Sequence, residues 1–62
     1  MHFIGVATVE IEDNSNTDPG ISGYTTRTAG DVIIDSQSAF EYVWTYRNRW
    51  ERLGGDGDYK II

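Results

Sequence analysis

The stretch AFEYVWTYRNRWERL, residues 39–53, decides how this chain folds. Phe40, Tyr42, Trp44 and Tyr46 stand at every second position, and Trp50 follows after a polar break at Arg47-Asn48-Arg49. A period of two marks a strand, whose side chains alternate between its faces. Aromatic and β-branched residues over so short a run also favour a pleated surface. Asn tolerates left-handed φ, so the polar break suits a hairpin turn. A helical reading stands beside this one. Ser38 and Glu41 have capping-box spacing, and Phe40, Val43, Trp44, Trp50 and Leu53 fall on approximately one helical face. Gly54-Gly55 would then stop the helix. Composition favours the hairpin.

Working outward from this stretch, the signals are those of short strands and tight turns. Val32-Ile33-Ile34 predicts a buried strand between turns at Ala29-Gly30-Asp31 and Asp35-Ser36-Gln37-Ser38. Tyr24-Thr25-Thr26-Arg27-Thr28 suits an exposed strand. Residues 13–23 form a loop containing a strong turn at Asp18-Pro19-Gly20. Residues 3–12 alternate, with Phe3, Gly5, Ala7, Val9 and Ile11 on one face and Ile4, Val6, Thr8, Glu10 and Glu12 on the other. Gly5 inside that strand marks a bulge or a close backbone approach. Gly54-Gly55-Asp56-Gly57-Asp58 reads as a flexible exit. The aliphatic end Ile61-Ile62 implies that it docks on something, or that the chain is a piece of a longer protein.

The chain has 62 residues and no Cys. That is room for a single domain, residues 1–62, which buries only about 60% of its unfolded surface and is marginal alone. Small scaffolds are commonly stapled by disulfides, a metal or oligomerisation. Disulfides and thiolate zinc sites are excluded, and His2 is the only His. Oligomerisation is the remaining staple, and it would give the aromatic set a place to be buried between copies.

Charge and hydropathy narrow the function classes. Ten acids against five bases leave a net charge of −5, unfavourable for nucleic-acid binding through phosphates. The bases cluster at Arg47, Arg49 and Arg52, while Glu10, Glu12, Asp13 and Asp18 lie at the other end; the pattern reads first as a solvated turn with soluble flanks, and otherwise as a basic spot that meets an acidic patch on a neighbouring copy. No apolar run reaches the roughly 18 residues of a membrane-spanning helix. The start, MHFIGVATVEIED, lacks the basic region of a signal peptide.

No segment has the residues of a catalytic centre. Asp13–Asp18 begins like a calcium loop, but Asp18 stands where Gly is required and Tyr24 where Glu is required. Gly54–Tyr59 resembles one calcium-binding β-roll repeat, without the final Asp or a second copy. Glu10 and Glu12 share a strand face about 7 Å apart, as i and i+2 residues do, but paired acid–base carboxylates need a cleft and unequal surroundings. A nucleophilic triad, a Cys nucleophile and a phosphate-cradling glycine loop are all lacking. The expectation is a non-enzyme with no cofactor and no metal.

The order Phe3-Ile4-Gly5-Val6, Gly30-Asp31-Val32-Ile33, Glu41-Tyr42-Val43-Trp44, Trp50-Glu51-Arg52-Leu53-Gly54, Tyr59-Lys60 resembles a segment of phage-like structural proteins from Gram-positive and gut bacteria. The hairpin is also similar to the small trimerising propeller of phage fibritin, with Tyr42-Val43 and Trp50 with Leu53 in the roles of its strands. Its turn, Tyr46-Arg47-Asn48-Arg49, is longer and more basic than that family's. The resemblance implies a homotrimeric structural module of a phage fibre, neck or capsid appendage. It implies a virion location after assembly in the host cytoplasm, other virion proteins as partners, and host surface glycan as a further contact. The interface would comprise Phe40, Tyr42, Trp44, Trp50 and Leu53, with Arg47, Arg49 and Arg52 supplying charge between subunits. A second resemblance, to small chitin- and cellulose-binding modules, would instead make Trp44, Tyr46 and Trp50 a sugar-stacking platform. The fold expected on either reading is mainly β, a single small domain of four to five short antiparallel strands. On the first reading, homotrimerisation completes it.

Overall fold

A computed structural model describes residues 1–54. Four strands form one sheet in the order β1 (His2–Ala7), β2 (Asp31–Asp35), β3 (Glu41–Trp44) and β4 (Trp50–Arg52). The domain is therefore small and mainly β, as expected. Its sheet is mixed, not wholly antiparallel: β1 runs parallel to β2, while β2–β3 and β3–β4 are antiparallel. Parallel neighbours need a long crossover, and residues 8–30 supply one without a helix. The exit at 55–58 and the apolar end at 59–62 lie outside the described residues.

Residues 39–53 are a hairpin, which settles the choice against the helix. The chain reverses over Thr45–Arg49, where the Asn48 amide donates to the Thr45 carbonyl at 2.9 Å and the Thr45 amide donates to the Arg49 carbonyl at 3.1 Å. Asn48 takes the left-handed conformation, φ 59°, that the turn requires. Trp44 then faces Trp50 directly across the strands. The link from β2 to β3 is also tight. Asp35 Oδ2 accepts from the Ser38 hydroxyl at 2.7 Å, and Ala39 is held at φ 63°.

The long alternation predicted at 3–12 extends only to Ala7, and a bulge interrupts it near its start. Phe3 pairs with Val32 and Gly5 with Ile33, so Ile4 is the extra residue. A bulge re-aims the side chains that follow it. Ile4 and Ala7 consequently pack on the core, while Phe3 and Val6 lie on the opposite face beside Val32 and Ile34. The strand expected at 24–28 is irregular backbone. Tyr24 turns its hydroxyl to Asp31 at 2.7 Å instead of alternating along an edge.

The core comprises Ala7, Ile11, Ile33, Tyr42, Trp44 and Trp50, with Ile4, Ile21 and Tyr24 packed against it. Ile11, Ile21 and Tyr24 come from the crossover. Residues 8–30 thus provide the second layer that a single sheet needs to bury one face. Pro19 is fully buried in that layer. The Asp18-Pro19-Gly20 turn forms as predicted, with Asp18 Oδ1 accepting from the Gly20 amide at 2.9 Å. Pro19 and Gly20 are tied back to Thr8, whose amide donates to the Pro19 carbonyl at 2.9 Å and whose hydroxyl donates to the Gly20 carbonyl at 2.9 Å.

Candidate interaction site

The aromatic hairpin faces inward. Trp50 is fully buried, Tyr42 is 4% exposed and Trp44 is 7% exposed. The indoles of Trp44 and Trp50 meet edge to face, with centroids 5.0 Å apart and planes at 68°. The ring quadrupoles favour this arrangement over a sandwich. Trp50 Nε1 donates to the Thr17 carbonyl at 2.8 Å, which satisfies the indole's single polar group inside the fold. The Arg27 guanidinium lies 5.1 Å from the centre of a Trp44 ring. Burial pushes the Tyr42 phenol up, and Asp35 adds to the effect.

Three of the five residues expected at an oligomer interface, Tyr42, Trp44 and Trp50, therefore pack within the chain itself. The crossover covers them, a role that could not be read from its turn-rich sequence. Phe40 remains at the surface, and Leu53 is half-buried. The same burial removes two of the three rings of the sugar-stacking platform and leaves Tyr46 exposed.

The arginine cluster is likewise engaged within the chain. Glu51, only 8% exposed, accepts from the Thr45 hydroxyl at 2.7 Å. It also accepts from Arg47 Nη1 at 3.1 Å and Arg49 Nε at 3.4 Å. Burial alone would push the Glu51 carboxyl up. The Thr45 hydrogen bond, then Arg47 and Arg49, together hold it below the usual carboxylate range. Arg52 lies 3.5 Å over the Phe40 ring, and its amide donates to Asp13 Oδ1 at 2.9 Å. Asp13 and Asp18 thus serve the backbone at two points of the fold. Among the described residues, no three His, Cys, Asp or Glu side chains converge on a metal position.

The apolar side chains left outside lie elsewhere. Phe3 and Val6 are 56% and 52% exposed on the sheet face opposite the core. Ile34, half-buried, stands beside Val6 in the same sheet register. Glu41 borders the patch, paired with Ile34 across β2 and β3. The patch was hidden in the sequence because simple alternation places Phe3 with the core residues Ala7 and Ile11. Gly5 was the available signal that the alternation breaks.

An open cleft of about 690 Å³ lies where the start of β1 meets the start of β2. Ile4, Tyr24, Thr26, Thr28 and Asp31 are among its walls. Asp31 Oδ2 accepts from the Tyr24 hydroxyl at 2.7 Å and the Thr28 amide at 2.9 Å. Burial, then the hydrogen bond to Asp31, raises the Tyr24 phenol well above its ordinary range and keeps it a donor. The sequence signal here was weak: Thr28 read as the end of an exposed strand and Asp31 as the end of a turn.

Comparison with known proteins finds no family model, curated protein or solved structure that matches the chain.

Proposed function

We propose that the chain is a non-enzymatic structural module that associates with copies of itself, as a homotrimer, in a phage fibre, neck or capsid appendage. The observation that carries the reading is the exposed apolar side chains of Phe3 and Val6, beside Ile34, on the face opposite the core. Burying side chains of this kind contributes roughly 1.5–3 kcal/mol each. For a short chain without disulfides, such a contribution is a sizeable fraction of total stability. The appendage setting is supported by the order of motifs along the chain. Closed cyclic symmetry would also cover the outer edge of β1.

On this reading the interface is the β1 side of the sheet, and the aromatic hairpin is the internal support. Light scattering after size exclusion, over a dilution series through the micromolar range, tests it. A trimer at the concentrated end is expected. A folded monomer throughout would overturn the reading, and a dimer would overturn the trimer.

A further inference from the structure

We propose that the cleft between Tyr24 and Asp31 binds the ring of a small sugar through vicinal hydroxyl groups. Asp31 is the first support. It is 7% exposed, yet it carries no ion pair among the described residues. Its Oδ2 is fixed by the Tyr24 hydroxyl and the Thr28 amide. Its Oδ1 receives no hydrogen bond from the described residues, so a carboxylate held in place on one side keeps its other oxygen as an acceptor.

The walls choose the ligand class. Thr26 and Thr28 add hydroxyls that both donate and accept, while Ile4 and the body of Tyr24 are apolar. A ligand that fits both walls needs several hydroxyl groups along one edge and a C–H face on the other, which is the chemistry of a pyranose. An ammonium ion would satisfy Asp31 but leave the threonine hydroxyls and the apolar wall unused. The volume of about 690 Å³ lies within the range of roughly 300–1,000 Å³ found for small-molecule sites. The whole cleft belongs to one chain, so the inference does not depend on self-association.

The test is amide chemical-shift mapping of the full chain, titrated to tens of millimolar with glucose, galactose, mannose and N-acetylglucosamine separately, and with methylammonium. At least one sugar is expected to give saturable shifts centred on Thr28, Gly30 and Asp31. Asp31→Asn is expected to weaken binding about tenfold or more, the effect of losing a hydrogen bond to a charged group. Thr26→Val, at an exposed threonine, provides a second variant should Asp31→Asn not fold, and it too is expected to weaken binding. Absence of saturable shifts with all four sugars would overturn the proposal. So would shifts centred on Tyr46, equal binding of methylammonium, or undiminished affinity in a folded variant.

Discussion

The two edges of the sheet are finished in opposite ways. Along β4 the crossover returns to close the edge. The Asn14 amide donates to the Trp50 carbonyl at 2.7 Å, and the Trp50 amide donates to the Ser15 carbonyl at 2.6 Å. Asp13 then covers the Arg52 amide. Along β1, the crossover's backbone is bonded at the two ends alone among the described residues: the His2 amide donates to the Gly30 carbonyl at 2.9 Å, and Thr8 just past the strand donates to Pro19. The adjoining face leaves Phe3 and Val6 in water. The β4 side contains the groups whose loss unfolds the chain. On the β1 side, Phe3 and Val6 stay outside the core that Ile4 and Ala7 of the same strand enter, which is the character of a surface kept for contact.

The sharpest way to break this contrast is at Trp50. Trp50→Ala removes a fully buried ring together with its edge contact to Trp44 and its bond to Thr17. A loss of about 3–5 kcal/mol is expected, enough to unfold a domain of this size. Loss of the resolved amide spectrum at room temperature is the readout.

A smaller effect is expected where the crossover is tied to the end of β1. Gly20 sits at φ 69°, and a Cβ there would collide with the Thr8 hydroxyl. Gly20→Ala should therefore cost about 1–3 kcal/mol in urea denaturation, through backbone strain and the lost Thr8 contact.

Acid sharpens the comparison without a large substitution. The folded chain holds the Glu51 carboxyl below its ordinary value of 4.5, so the folded state binds that proton less readily than the unfolded chain. Its contribution is present above pH 4.5 and is lost as pH falls through the lowered folded value. The urea midpoint should fall across that window in the wild type. Glu51→Gln should be less stable at neutral pH and show a flatter acid limb.

The smallest effect is expected at the β2–β3 turn. Ala39 is held at φ 63°, where glycine carries no Cβ penalty. Ala39→Gly trades that relief against greater freedom in the unfolded chain. A gain of at most about 1 kcal/mol is expected, read from the thermal midpoint.

What the sequence disclosed follows the range of the interactions. The hairpin was legible because period, aromatic enrichment and the left-handed Asn48 are all local. The Asp18-Pro19-Gly20 turn was legible for the same reason. The parallel pairing of β1 with β2 was not, since it depends on a 23-residue crossover whose turn signals do not reveal what it covers. That crossover also decided the fate of the rings. Without a covering layer, Tyr42, Trp44 and Trp50 read as surface awaiting a partner. With Ile11, Ile21 and Tyr24 over them, they are core. The patch at Phe3 and Val6 depended on a single extra residue, Ile4, which reverses the face of everything before it. The Tyr24–Asp31 cleft arises from a side chain leaving an expected strand, and periodicity carries no record of that.

The most direct test of the central contrast is the Phe3→Lys variant, followed at once by mass in solution and by its near-ultraviolet tryptophan signal. Phe3 is more than half exposed, so the substitution should change chain stability by no more than about 0.5 kcal/mol. The account predicts a monomer that keeps the signal of the packed Trp44–Trp50 pair. A variant that loses that signal as it dissociates would show that fold and association share one core, and would contradict the account.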